Sequence, residues 1–297
     1  MSGARTRTLT LRVTGFPDLS LDSQEFASLQ GATGLQDPPR AIRWWDGAGD
    51  GSVYRSTRIL RRPVALPVLI QGADADQLED RMNQLASRFD PDYGEGRLLL
   101  DEGPERGQWW LDFIYTGGLG VEYGKGTNGS SWAQPVLGLE CGNPFWTRLE
   151  YAVVPIEAAG AGRGLLKGNV SLTALRQKSN QTLGTVTLVN PGNAKAFPIV
   201  TVYGPATGGT FTAGGLSYTW AGNLLAGQRR VFDHKAGTLV DPDVPGSAGN
   251  RYNELGPAPK FWAVPPNTSQ ASVQLTGDTP GVSKVEIAYQ PRKWLVV

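Results

Sequence analysis

The sequence predicts a mainly β protein with one prominent helix, and three observations carry that prediction. Glycine (39) and proline (21) are plentiful among 297 residues, which favours many turns joining short strands. Short apolar runs bounded by glycine, proline and asparagine recur through most of the chain, the mark of strands rather than helices. A single segment, after Gly72, carries the 3.6-residue period of an amphipathic helix.

Residues 8–13 alternate cleanly and read as a half-buried strand. Residues 15–50 read as a long irregular segment, and a loop of that length is usually functional or ordered by a partner. Residues 53–60 and 64–70 are β-branched and apolar runs that read as one extended edge interrupted at Pro63, because proline cannot donate to a sheet ladder. The helix is expected over 75–89. Asp74 stands three residues before Gln77, so each side chain can satisfy an orphan N–H at the helix start. Leu78, Met82, Leu85 and Phe89 form its apolar stripe, and Asp90-Pro91 ends it. Strands follow at 97–100, 108–116 and 134–141, the last two joined by a glycine-rich hairpin over 117–129. Composition shifts at 158–162, the expected boundary region. Beyond it, strands at 183–189, 197–203, 210–212, 216–220, 229–233, 271–275 and 284–289, with no helix between them, predict a β-sandwich.

At 31.8 kDa the chain suits two domains. A net charge of +1 provides no global field for nucleic acid or an acidic membrane. Charged residues make up only 19%, which with the abundant glycine and proline suggests many turns joining short strands, or a surface partly covered by other subunits. Cys141 is the one cysteine, so there is no intramolecular disulfide, and it reads as a small buried hydrophobe. No apolar run reaches the roughly 18 residues of a membrane helix, and no membrane insertion is expected. The N-terminus leads into a strand rather than an apolar signal core, so synthesis and folding in a cytoplasm are expected.

Several patterns imitate chemistry. Gly124 to Gly129 fits G-x-G-x-x-G, but the residues after it read as strand and carry Pro135, so no helix dipole faces a pyrophosphate. Asp241, Asp243 and Gly246 open like a calcium loop, yet Pro245 and Tyr252 stand where a ligand and the bidentate carboxylate are needed. His234 is the single histidine and reads as a turn residue; a dyad with Cys141 stays open in the sequence, although no zinc spacing or nucleophile elbow supports it. Asp233, Asp241, Asp243 and Glu254 lie close in sequence and could pair as glycosidase acids, with solvated turn acids as the plainer reading. Trp220, Trp262 and Trp294 could stack on sugars from a sandwich surface, although large aromatics more often fill cores or interfaces. No catalytic, cofactor-binding or metal-binding residue is assigned, and no cofactor is expected.

Taken in order, a set of short matches resembles the distal tail protein of long-tailed phages with non-contractile tails. In the first half these are Tyr54-Arg55, Val68-Leu69-Ile70-Gln71-Gly72, the helix with Arg81 and Leu85, Asp90-Pro91, Gly94-Glu95-Gly96-Arg97-Leu98 and Cys141-Gly142-Asn143-Pro144-Phe145-Trp146. In the second they are Asn190-Pro191-Gly192-Asn193, residues 198–204, Val231-Phe232-Asp233, and Val285-Glu286-Ile287-Ala288-Tyr289 with Trp294. The specificity lies in their order along the chain.

That resemblance implies a barrel-like, ring-forming N-terminal domain over 1–152 and a galectin-like or jelly-roll sandwich over 153–297. It implies a non-enzymatic virion protein at the far end of a phage tail. There it would form a homo-hexamer joining the tail tube protein to the tail-tip protein, with the tape-measure and receptor-binding proteins as further neighbours. DNA would pass through the ring without specific binding, and, because tight phosphate contacts would hold it back, the channel is expected to have no basic, apolar or aromatic lining. Residues 15–50 and 117–129 would be intersubunit elements. No sugar-contact motif carries over. The alternative from another class is a carbohydrate-binding or glycan-cleaving β-sandwich protein.

Overall fold

The computed structural model describes residues 7–120, 129–157 and 184–296. The hairpin expected over 117–129 lies mostly outside the described residues, as do Gly124 to Asn128 of the glycine motif, the composition shift at 158–162, and Leu183 at the start of one expected strand. Strands make up 51% of the structure, as a mainly β chain requires. The chain divides into two compact units, residues 1–150 with 292–297, and residues 151–291.

The first unit contains β1 (Thr8–Arg12), β2 (Leu19–Ser20), β3 (Phe26–Ser28), β4 (Arg40–Asp46), β5 (Ser52–Ile59), β6 (Arg62–Gln71), helix α1 (Ala75–Ser87), β7 (Gly96–Asp101), β8 (Gln108–Gly117), β9 (Trp132–Ala133), β10 (Val136–Cys141) and β11 (Trp146–Arg148). Its main sheet runs β2-β1-β7-β8-β10-β6-β3 and curls into a half-barrel. Leucines meet rung by rung across it: Leu11 faces Leu98, which faces Leu111, and Leu137 faces Leu66. All five are buried, because strand side chains alternate and this register puts the apolar set on one face.

β6 is a central strand, not the expected edge, although it holds Pro63 and Pro67. The reason lies in which side the prolines face. The N–H of Ala65 donates to Thr33 (3.2 Å), away from β10, while that of Val68 donates to Pro135 (3.0 Å) on the β10 side. Pro63 and Pro67 share the Ala65 side, so their missing N–H groups break no rung to β10. β5 is likewise not continuous with β6. It turns back and pairs with β4. The 15–50 segment therefore holds β2, β3 and β4 instead of being irregular throughout.

The helix starts as its capping residues require. Gln77 N–H donates to Asp74 Oδ1 (2.8 Å), and Gln77 Oε1 accepts from Ala73 N–H (2.7 Å). Leu85 is fully buried, and Leu78, Met82 and Phe89 pack against the same core. The helix ends at Ser87, two residues before the expected limit, with Phe89 stacked on Tyr115 (4.2 Å between ring centroids).

The second unit contains β12 (Ala152–Glu157), β13 (Gly184–Asn190), β14 (Ile199–Tyr203), β15 (Ala206–Ala213), β16 (Leu216–Leu224), β17 (Arg229–Asp233), β18 (Thr238–Val240), β19 (Asn267–Thr276) and β20 (Lys284–Tyr289). They form two sheets, β12-β20-β14-β17-β18 and β13-β19-β15-β16. Phe232 of the first approaches Phe211 (5.2 Å) and Tyr218 (5.5 Å) of the second, so aromatic rings knit a sandwich core between the sheets.

The chain then returns to the first unit. β21 (Arg292–Lys293) pairs with β11, Thr147 opposite Arg292 and Trp146 opposite Lys293. This differs from the expected assignment of every residue after 152 to the sandwich. Lys293 Nζ binds Glu102 (2.7 Å) and lies over the Trp109 ring, which helps hold the returning strand.

Candidate assembly surface

β4 and β5 form a two-stranded ribbon that pairs with no other described strand. Their register places Ile42 opposite Thr57, Trp44 opposite Tyr54 and Trp45 opposite Val53, with Arg55 bulged between the Arg43–Ser56 and Trp44–Tyr54 pairs. The turn over 47–51 closes with Gly51 at φ +90°, a left-handed value that favours glycine. Apolar side chains on this arm face solvent: Val53 is 72% exposed, Trp45 63%, Trp44 56%, Tyr54 56% and Ile42 53%. An isolated two-stranded ribbon is marginal in water, and large apolar side chains exposed on both of its faces make it a candidate interaction surface.

The arm has two chemically different faces, because opposite residues in an antiparallel pair share a side. One bears Ile42, Trp44, Tyr54 and Thr57, with Trp44 edge-on to Tyr54 at 5.9 Å and the Tyr54 hydroxyl donating to Thr57 (2.9 Å). The other bears Arg43, Trp45, Val53 and Arg58, with the Arg55 guanidinium 5.2 Å from the Trp45 ring centre. A hollow of about 350 Å³ opens among Trp45, Gly47, Val53, Tyr54 and Arg55.

The arm is rooted in a fully buried arginine. Arg62 donates from Nε and Nη2 to Pro144 O (2.8 and 2.6 Å), from Nη1 to Gly34 O (2.7 Å) and to Gln36 O, and from Nη2 to Trp294 O (2.6 Å). Its partners are four carbonyls and no carboxylate, and burial draws the guanidinium pKa down. This fork fixes the chain entering the arm (Gly34, Gln36), the turn before β11 and the returning C-terminal segment. Gly34 fits only as glycine: φ is +80°, and an added Cβ would collide with the Pro63 carbonyl.

The residues singled out as possible chemistry occupy structural roles. Asp241 and Glu254 do converge, but on Arg230, which gives Asp241 one bond (2.8 Å) and Glu254 a fork (3.1 and 3.2 Å). Arg251 stands 3.7 Å from each carboxylate. Asp243 pairs with Arg229 (3.0 Å), so both acids of the calcium-like run are held by arginine. Asp233 stays apart and caps its turn through the N–H groups of Lys235 and Ala236. Among the described residues, no three His, Cys, Asp or Glu side chains form a metal-binding group.

His234 is not an exposed turn residue but a buried one. Its Nδ1–H donates to the Trp262 carbonyl (2.8 Å), which leaves Nε2 to accept from the Tyr218 hydroxyl (2.9 Å). Burial pulls its pKa down to about 4, so it is neutral near pH 7. Trp220 and Trp262 are buried as well, and Trp220 Nε1 donates to Glu254 (2.8 Å), so neither presents a face to a sugar. Trp294 packs edge-on to Phe145 (5.0 Å) in the first unit rather than on the sandwich. Cys141 is buried in the first unit, and its thiol pKa is pushed up to about 12 by desolvation, which makes it a poor nucleophile.

Sequence reasoning missed the arm. A signal was available: Trp44-Trp45, then glycines at 47, 49 and 51, then Val53-Tyr54, two apolar clusters about a five-residue turn.

The sequence matches no protein-family model, and no curated protein matches it. In three dimensions it is similar to SPP1 Dit (gp 19.1), a hub adsorption apparatus protein of phages infecting Gram-positive bacteria. That match has TM-score 0.65 and 12% identity, and it covers 96% of this chain and 98% of that one. Matches to the phage P2 baseplate in its activated conformation, with Ca or with Sr, have TM-score 0.49 and 10% identity over 98% of this chain and 100% of those. The chain has the fold of the SPP1 Dit protein, a curled sheet domain and a β-sandwich in one polypeptide.

Proposed function

We propose that this protein is a distal tail protein of a phage with a long non-contractile tail. Six copies close a ring at the end of the tail tube, joining the tube protein to the tail-tip protein and leaving a passage for DNA. The observation that carries this reading is the fold shared with SPP1 Dit over nearly the full length of both chains. The exposed aromatic arm supports it, since a ribbon with both faces in water is best explained as half of an intersubunit contact.

In this reading the domain of residues 1–152, with the returning 292–297, supplies the ring contacts through the 15–50 segment and the hairpin over 117–129. The galectin-like sandwich lies outside the ring and leaves the channel clear. The channel wall is neither basic, apolar nor aromatic, because tight phosphate contacts would hold the DNA back. The tape-measure and receptor-binding proteins are further neighbours.

Catalysis has no part in the function. Single replacements of Asp233, His234, Asp241 or Asp243 leave assembly intact as long as folding survives. The test is light scattering on the purified full chain with negative-stain imaging. A closed ring of roughly 190 kDa, six chains of 31.8 kDa, is expected. A monomer that binds or cleaves oligosaccharide would overturn the reading.

A further inference from the structure

Charge is strongly segregated within the first unit, although the whole chain is only +1. Residues 40–62 carry six arginines against two aspartates, a net +4. Residues 74–95 carry seven acids against two arginines, a net −5. Arg40 and Arg61 pair with Asp37 and Glu140, but other exposed charges at both places make no ion pair among the described residues. Arg43, Arg55 and Arg58 make no ion pair among the described residues, nor do Asp76, Glu79, Asp80, Asp92 and Glu95. The two arginines of the acidic segment cannot neutralise its surface. Arg81 is engaged by Glu25 and the Gln71 carbonyl, and Arg88 is buried against the Pro17 carbonyl.

Geometry keeps each set on one side. On α1, Asp76, Glu79 and Asp80 are spaced three and four apart and exposed, opposite the stripe of Leu78, Met82 and Leu85 that packs on the core. On the arm, the basic face is the one opposite Trp44 and Tyr54. A closed ring needs two different patches on each subunit, each fitting the other and neither fitting itself. A basic patch and an acidic patch on one chain meet that condition, since each repels its own kind.

We infer that the basic face of the β4–β5 arm of one copy docks on the acidic outer face of α1 and the following 90–95 turn of a second copy. This rests on the ring reading and names the acceptor within it. Arg43, Arg55 and Arg58 supply the cations, and Trp45 beneath Arg55 supplies the apolar contact that excludes water between the charges. The contact is directional, arm to helix, so repeating it propagates around a ring instead of ending at a pair.

The experiment uses full chains and light scattering, with circular dichroism and thermal melts to confirm folding. One variant carries Arg43→Glu, Arg55→Glu and Arg58→Glu. A second carries Asp76→Arg, Glu79→Arg and Asp80→Arg, and a third carries all six. Each single-patch variant is expected to fold normally and weaken assembly by roughly a hundredfold or more, since like charges meet across the contact. The six-fold variant is expected to recover assembly, a result that a merely structural role for either patch would not produce. If the helix variant assembles like the parent while the arm variant does not, the acceptor lies elsewhere and the inference fails while the ring stands. An arm variant that assembles normally but loses retention on duplex DNA would assign the basic face to phosphate and overturn it as well. A parent chain that stays monomeric at every concentration would end the ring reading and this inference together.

Discussion

Arg62 in the first unit and Arg230 in the second are both buried, but in opposite company. Arg62 meets four backbone carbonyls and no carboxylate, whereas Arg230 meets Asp241 and a forked Glu254. The first is a mechanical joint. A planar fork of donors ties together three stretches of chain that also meet through the β11–β21 pair, the Phe145–Trp294 contact and the Trp146 bond to the Leu35 carbonyl, and the desolvated charge is tolerated only because every partner is already in place. The second is an electrostatic knot whose charges largely cancel, set at a margin where side chains remain 12% and 17% exposed. A charge held by carbonyls fixes geometry. A charge held by carboxylates keeps a polar group at the edge of a core without a large solvation penalty.

The sharpest way to break this comparison is Arg62→Ala. Four carbonyls lose their donor inside the core, so denaturant melts should show a loss of about 3–5 kcal/mol, and proteolysis should release residues 292–297 first. Arg62→Lys should restore little, because an ammonium cannot fork. Leu85→Ala sets the apolar scale in the same unit: a fully buried side chain leaves a cavity, and roughly 2–5 kcal/mol should go. If Leu85→Ala melts like the parent, the helix stripe is not core.

In the second unit, His234 makes stability depend on pH. Its folded pKa of about 4 lies below the ordinary 6.5, so the unfolded chain takes up a proton first as pH falls. Its contribution is intact above pH 6.5 and is lost as pH drops from 6.5 towards 4, at most about 3 kcal/mol. Comparing melts of the parent with His234→Gln across that window should isolate the slope. The smallest effect is expected for Glu254→Gln, about 1–2 kcal/mol, because Arg230 keeps Asp241. Added salt should shrink that difference while leaving the Arg62→Ala loss unchanged, which would separate the knot from the joint in one titration.

What was legible in the sequence follows the same division. The helix was readable because its cap and its stripe are both local: Asp74 and Gln77 are three residues apart, and the buried side chains recur every three or four. The sandwich strands were readable because one face is buried and period 2 survives. The arm was not, since its apolar residues point to water on both faces and leave no inside-outside contrast, so β5 merged on paper with β6. Arg62 was illegible for a different reason. Its acceptors are main-chain carbonyls, one of them 232 residues away, and no side-chain pattern announces a carbonyl. His234 looked like a turn residue because burial comes from Tyr218 and Trp262, which arrive from other elements. Of the four acids that lie close in sequence, only Asp241 and Glu254 share a partner, and the arginine between them makes that pair a scaffold.

The return of β21 beside β11 makes residues 151–291 an insertion, a module spliced into the first unit between two strands that remain paired with each other. A fragment cut at residue 152 would therefore lose its closing strand and one of the four carbonyls that Arg62 requires. Joining Glu150 to Arg292 through a short flexible bridge would keep both. Such splice points are where proteins tolerate exchange of whole domains. A different module inserted at the same seam is therefore expected to keep β21 beside β11 and the Trp294 carbonyl within reach of Arg62.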